Sequence, residues 1–414
     1  MAKVLITLIG TGKNAKGDGD NNRYKITDYK LENSLYEEKT LVSQAIIEHF
    51  NIDKAFYIGT NKSMWDNLCE IYNTDEEYFF EIMEKKEAKD VKEEDLVSLS
   101  RYIDNKLGNS GSHCYIIKDS ESEDDLWIMF DKFIEILKTI NKEDEVYFDV
   151  THLFRSVSIL SFIMAEFGKI TKEIQIKGVF YGLLKKDPPS VIVNLATFYE
   201  LLDWARAIKN LKEYGNGFEL YKLIQDNITQ KEVVNSFKDF NYALSISDMG
   251  ALQNSLKQLK GKIIFFKENN HQIIKLISND LEFFIDRFSK IDSLAKFQYE
   301  LAKWYGENRN YAMGYLTLTE AIVSAICENN HLDPLNEDDR KEAKEILYKY
   351  GDWKKSSKEE QKISQIYYRV NSIRVNIAHK LPSNNSRSKS SPKDSVENFA
   401  KYIDDMAIIF KDLQ

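Results

Sequence analysis

Two stretches decide how this chain is read: VLITLIGTG at Val4–Gly12 and VYFDVTHLFR at Val146–Arg155. Each opens as a short, nearly all-apolar run and ends in small or polar residues. A run without polar alternation suits a strand covered by helices on both faces, because neither face meets solvent. The same reading gives strands at Ala55–Ile58, Cys114–Ile117 and Ile174–Phe180, with helices at Glu38–Phe50, Lys62–Tyr72, Asp124–Ile140 and Phe154–Phe167. This alternation predicts an α/β domain with a largely parallel sheet over the first 185 residues or so. The acidic, lysine-rich piece Asp75–Asp95 reads as an exposed helix or an insertion, and Pro188-Pro189 is expected to close the sheet-forming region.

Beyond that point the pattern is helical, with elements expected at Leu195–Leu211, Phe218–Phe240, Ser245–Phe266, Leu294–Trp304, Ala312–Glu328, Asp338–Tyr350, Gln361–Lys380 and Ser395–Phe410. Gly215-Asn216-Gly217 supplies a turn, since glycine and asparagine tolerate positive φ. A chain of 414 residues has room for two to three domains. Three cysteines without a CxxC pair exclude a disulfide framework and a zinc knuckle, which points to a reducing cytoplasm. No apolar run has the length of a membrane span, so no membrane partner is expected.

The net charge of -9 argues against nucleic acid wrapping the whole surface. It conceals a contrast: Gln361–Lys393 holds seven Lys and Arg and no Asp or Glu. A phosphate-rich partner is therefore expected near the C-terminus, the alternative being an ordinary solvated face.

Side chains at the carboxyl ends of parallel strands face the crevice in which such sheets bind ligands. Gly10-Thr11-Gly12-Lys13 follows the first strand, Gly59-Thr60-Asn61 another, and Asp149 leads into Thr151, His152 and Arg155 after a third. Glycine-rich turns expose backbone N–H groups to anions, and arginine offers a planar fork to phosphate. The set suits a ligand with several polar and phosphate groups. Gly10–Ala15 also fits a loose dinucleotide pattern, which leaves a dehydrogenase open, although the hydrophilic residues that follow do not open a helix.

In the C-terminal segment Ile363, Ile366, Val370, Ile373 and Ile377 define one apolar face. His379 lies about 150° from the centre of that face, so it is not a core histidine, although a surface histidine without a task remains the alternative. Arg374 and His379 are about 7.5 Å apart along an ideal axis and about 140° around it. One helix does not easily close both on one phosphate, whereas two copies packed about a two-fold axis do, which predicts a homodimer with a composite site. Imidazole transfers protons near neutral pH and guanidinium stabilises charge on phosphorus. That pair suits RNA cleavage by the 2'-hydroxyl, giving 2',3'-cyclic phosphate ends without a metal and no stable DNA complex. Asn376 is a further candidate to orient the phosphate. The six histidines are scattered without an HExxH pattern, so no metal site is expected.

Asp149-Val150-Thr151-His152 resembles the D-x-T-H-G signature of CRISPR-associated proteins with an N-terminal CARF domain, and Arg374–His379 matches the R-x4-H pattern of HEPN ribonucleases. Pro188-Pro189, Asn194–Trp204 and Tyr214–Gly217 are similar to the same group, so the resemblance covers essentially the whole chain. It implies a Rossmann-like CARF domain over 1–185, a helical connector over 186–290 and an all-helical HEPN region over 291–414. It also implies a homodimeric type III CRISPR effector whose allosteric activator is a cyclic oligoadenylate, cyclic tetra-adenylate being favoured over the six-unit ring, and whose substrate is single-stranded RNA. Ligand binding falls to Gly10, Thr11, Gly12, Thr151 and His152, and cleavage to Arg374 and His379. Slow cleavage of the activator in the CARF domain is a further implication, with Thr11 and Thr151 as its candidates. Leu153 stands where the signature has glycine. The rival reading is a nucleotide-sensing regulator or scaffold that binds RNA or protein without cutting.

Overall fold

The structure is a computed structural model that describes residues 1–12, 24–118, 122–152, 155–378 and 391–411. Lys13 and His379 lie outside the described residues. The chain divides into two compact units, Met1–Leu201 and Leu202–Gln414.

The first unit is built on eight strands: β1 (Lys3–Leu8), β2 (Thr27–Leu31), β3 (Ser34–Lys39), β4 (Lys54–Gly59), β5 (His113–Ile116), β6 (Glu145–Asp149), β7 (Gln175–Leu183) and β8 (Ser190–Asn194). They form one sheet in the order β3-β2-β8-β7-β6-β1-β4-β5. From β7 to β5 the strands run parallel, β2 also pairs parallel with β8, and only β2–β3 and β7–β8 are antiparallel.

Both faces of the parallel core are covered, and this is why its strands read as unbroken apolar runs. Leu5, Ala55, Tyr57 and Tyr147 enter one hydrophobic cluster. Their neighbours Val4, Ile6, Phe56, Ile58, Val146 and Phe148 enter the other. Successive strand residues point to opposite faces, so a strand buried on both sides shows no alternation.

Three strands were not expected. β2 and β3 are rich in charge and only partly buried, so a search for apolar runs passes over them. β8 continues the sheet beyond Pro188-Pro189, which lie between β7 and β8 and do not end the sheet as expected. Asp75–Asp95 is also more integrated than an insertion: helix Glu76–Glu87 buries Ile82, and Val91 joins the same core.

The second unit is helical throughout its described residues. The single helix expected at Phe218–Phe240 is two, Phe218–Asn227 and Lys231–Ile246, and Gln272–Phe288 is a helix that was not expected. Helix Leu294–Glu307 serves two cores. Phe297, Leu301, Trp304 and Tyr305 pack into one, whereas Ala295, Tyr299 and Ala302 pack into the other. This helix, within the expected 291–414 region, thus also packs on the core formed by residues 204–288. Among the described residues no helix is long and apolar enough to cross a membrane.

Candidate functional site

The strand order reverses between β1 and β6, because the chain progresses from β1 outward through β4 to β5 on one side and from β6 to β7 on the other. At such a reversal the chain leaves neighbouring strands in opposite directions, and sheets of this kind bind ligands in the crevice there. Gly10–Gly12 follow β1, and Thr151 and His152 follow β6.

Asp149 fixes the floor of this crevice. It is 1% exposed, and its Oδ2 accepts a hydrogen bond from the Thr7 hydroxyl at 2.7 Å. Its Oδ1 accepts from the Thr151 N–H at 3.0 Å and the Thr151 hydroxyl at 2.5 Å. The same hydroxyl accepts from the Gly182 N–H at 2.9 Å, so Thr151 ties the end of β6 to β7. A buried carboxylate is stable only when its oxygens are bonded. Asp149 thus acts on the crevice by positioning Thr151 and not through an exposed oxygen. Thr7 was not among the expected site residues, although it is a polar interruption of an apolar run.

The loop after β4 supports the loop after β1. Ser63 donates to the Ile9 carbonyl at 2.8 Å, and the Met64 N–H donates to the Gly10 carbonyl at 3.0 Å. Thr60, 1% exposed, donates its N–H to Ser63 Oγ at 2.8 Å, and its carbonyl accepts from Trp65 Nε1. Gly59 sits where a Cβ would meet Ile9 Cγ2 at 2.5 Å. Asn61 donates to the Lys89 carbonyl. Gly59, Thr60 and Asn61, expected as ligand contacts, are thereby placed as supports: burial and internal bonds occupy the first two, and the third is directed to the helix Glu76–Glu87 end. Gly12 has φ +69 and faces Met64, so glycine is required there on both counts.

Tyr24 was not foreseen. Its hydroxyl accepts from the Gly10 N–H at 2.8 Å and donates to the Gly10 carbonyl at 3.0 Å, while its ring lies 4.7 Å from that of His152. Burial raises the proton affinity of the Tyr24 hydroxyl above its ordinary value. Burial also lowers the His152 pKa below its ordinary value, against the charge of Asp149, so the imidazole is neutral at pH 7. Its Nε2 is buried and has no hydrogen-bond partner among the described residues. Only the fold reveals Tyr24, because its contacts cross from one loop to two others.

Beside the crevice is a groove of about 580 Å³ lined by Val150, Thr151, Arg155, Ser158, Tyr181 and Leu195, among others. Thr151 and the exposed Arg155 both line it. Next to it, helix Arg155–Thr171 leaves Ile159, Ile163, Phe167 and Ile170 exposed at helical spacing. Phe167 is linked through Phe130 to the exposed Trp127. A contiguous apolar face of this kind marks an association surface.

In the helical unit Arg374 and Asn376 stand near the end of helix Lys358–Ala378, both half-buried. Ile363, Ile366, Val370 and Ile373 are buried as expected, but Ile377, expected on the same face, is exposed together with Val375. The last turn of the helix therefore presents both of these apolar side chains at the surface of the described residues. Arg374 Nε is buried and has no acceptor among the described residues. The neighbouring Arg340, by contrast, is engaged by Glu320, Ser324 Oγ and the Pro334 carbonyl. Tyr367 is held above its ordinary pKa by burial, an effect that the charges of Arg340 and Arg374 oppose, which places both guanidinium groups within electrostatic reach of its hydroxyl.

Comparison with known proteins gives three kinds of likeness. Residues 4–184 match the family model for the CARF domain of the CRISPR system endoribonuclease Csx1, and residues 200–298 match that for the second domain of CRISPR-associated protein MJ1674. The chain is 32% identical over 399 residues to CRISPR-associated protein MJ1674 of Methanocaldococcus jannaschii. That alignment covers 92% of this chain and 62% of the relative, so the chain spans less than two thirds of the relative's length. Among solved structures, Enterococcus italicus Csm6 bound to cyclic hexa-2'-fluoro-hexa-dAMP aligns over 100% of this chain and 96% of its own, at 13% identity and a TM-score of 0.37.

Proposed function

From the match of residues 4–184 to the Csx1 CARF domain and the 32% identity to CRISPR-associated protein MJ1674, we propose that the chain is a CARF-domain CRISPR effector, an endoribonuclease switched on by a cyclic oligoadenylate. The observation that carries this reading is the crevice between β1 and β6. Gly10–Gly12, Thr151 and the neutral His152 gather there, and Arg155 stands in the adjoining groove. The Gly10 N–H is taken by Tyr24, which leaves the Thr11 and Gly12 backbone N–H groups and the guanidinium to serve phosphates, while a neutral imidazole with a buried, unbonded nitrogen serves a ribose hydroxyl or an adenine edge.

The activator is cyclic tetra-adenylate in this proposal. A ring of repeated nucleotides is symmetric, and the exposed face of helix Arg155–Thr171 offers a surface on which a second copy doubles the crevice. Arg374 of each protomer stabilises the phosphorane charge, His379 transfers the proton, and Asn376 orients the phosphate. The 2'-hydroxyl of single-stranded RNA is the nucleophile, and the product carries a 2',3'-cyclic phosphate. Slow turnover of the ring within the crevice limits the signal.

The test incubates the full chain with fluorescent single-stranded RNA, with cyclic tetra-adenylate, cyclic hexa-adenylate or neither, beside His379→Ala. Cleavage that needs a ring and disappears in the variant supports the proposal. RNA bound but uncut under all three conditions leaves a sensing scaffold in its place.

A further inference from the structure

The helical unit exposes three aromatic side chains that neither of its cores uses. Tyr348, at the end of helix Glu337–Lys349, is 75% exposed; Trp353, in the following turn, is 74% exposed; Tyr368, on helix Lys358–Ala378, is 43% exposed. Ser364, one turn before Tyr368, donates to the carbonyl of Leu347, the residue before Tyr348, so the two helices meet there. The Tyr368 ring meets the buried Tyr367 at 5.3 Å, edge to face, which limits its rotation. Lys354 Nζ lies 5.2 Å from the centre of the Trp353 ring. The turn itself is held: Gln361 Nε2 donates to the Ser356 carbonyl at 2.8 Å, and Ser364 Oγ to the Leu347 carbonyl at 2.8 Å.

The charge around these rings is opposite in sign to that of the molecule. Between Tyr348 and Arg374 seven Lys and Arg face three Asp and Glu, within a chain of net charge -9. Two of the three acids are engaged with the backbone, Asp352 with the Lys354 N–H and Glu360 with the Ser357 N–H. Lys354, Lys355, Lys358 and Arg369 have no carboxylate partner among the described residues. Flat rings interleaved with unpaired cations are the recognised means of holding unpaired bases and their phosphates, and a duplex cannot use them because its base faces are covered.

We propose that Tyr348, Trp353 and Tyr368 form a stacking platform for the bases of single-stranded RNA, with Lys354 and Arg369 on its backbone. Tyr368 and Arg374 stand on the same helix, six residues and about 9 Å of rise apart, so a strand on the platform passes near the arginine assigned to cleavage. Its role in substrate delivery rests on the ribonuclease reading above; its affinity for RNA does not.

The experiment measures fluorescence anisotropy of a short labelled single-stranded RNA on the full chain carrying Arg374→Ala, so that nothing is cut. Trp353→Ala and Tyr348→Ala are each expected to raise Kd about 5- to 100-fold. Trp353→Phe, which keeps a flat ring, should stay within about 3-fold, and Trp353→Leu, which keeps only apolar bulk, should not. Duplex RNA of the same sequence should respond to none of these changes. Unchanged affinity in the Tyr348→Ala/Trp353→Ala double variant, absence of single-strand binding by the parent, or equal losses for single strand and duplex overturns the platform. A shift in oligomeric state by light scattering without a change in RNA affinity also overturns it, assigning the surface to a second copy. Platform-dependent binding, together with a parent chain bearing Arg374 that cuts no RNA with either ring present, would remove the ribonuclease reading and leave the platform standing.

Discussion

Replacing Thr151 by valine keeps the shape of the side chain and removes its hydroxyl, which holds the end of β6 in place. The hydroxyl donates to Asp149 Oδ1 at 2.5 Å and accepts from the Gly182 N–H at 2.9 Å. A hydrogen bond to a charged acceptor contributes about 1.5–3 kcal/mol, and a buried N–H left without an acceptor costs about 1–3 kcal/mol. Gly182 is buried near the end of β7, between the exposed Tyr181 and Leu183, so both contributions apply, and the low side of their combined range is about 3 kcal/mol. At about 1.4 kcal/mol per factor of ten, local opening becomes on the order of 100-fold more frequent. Hydrogen exchange followed by mass spectrometry reads this directly in peptides covering 146–152 and 175–183. Thr151→Ser retains the hydroxyl and should exchange like the parent. Exchange in Thr151→Val within about 3-fold of the parent would refute the assignment of Thr151 as the tie between the two strands.

Gly12→Ala places a Cβ 2.4 Å from Met64 Sδ at a φ of +69. It should cost about 1–2 kcal/mol and weaken cyclic oligoadenylate binding, with partial recovery in Gly12→Ala/Met64→Ala, both read by thermal melts and calorimetry. Ile163→Asp charges the exposed face of helix Arg155–Thr171 and should yield a monomer in light scattering that cuts no RNA; a parent that is already monomeric at micromolar concentration contradicts this face as the dimer surface. Arg374→Lys should reduce RNA cleavage about 100-fold or more with an unchanged circular dichroism spectrum, since a point charge does not replace a planar fork; a parental rate removes Arg374 from the site. Burial lowers the His152 pKa in the folded chain, so the unfolded chain binds the additional proton below its ordinary value near 6.5. Stability of the N-terminal unit should therefore be flat above that pH and fall by at most about 1.4 kcal/mol per pH unit below it. The slope should vanish in His152→Gln, and parallel losses in both proteins would contradict it.

Local chemistry made part of this protein legible before folding. β1, β4 and β6 are buried on both faces, so their apolar runs declared a covered parallel sheet, and the positions of Gly10–Gly12 and Thr151–His152 followed from their places at strand ends. Most of the helical spans were likewise carried by spacing along the chain. β2 and β3 were not, because strands exposed on one side carry charge and turn residues that resemble loop. Helix Leu294–Glu307 was legible as a helix, yet its service to two cores was not, since spacing tells which residues share a face and not what each face meets.

The sequence by itself determined which residue types stand at the strand ends and along helix Lys358–Ala378, because that information is contained in a few consecutive residues. Only the tertiary structure decided their roles. It turned Asp149 and Thr60 inward, brought Tyr24 and Thr7 to the crevice, left Ile377 exposed and bonded Ser364 to the Leu347 carbonyl. Each of these depends on contacts between segments distant in sequence. Hydrogen bonding and burial assign a side chain its work only after those segments meet.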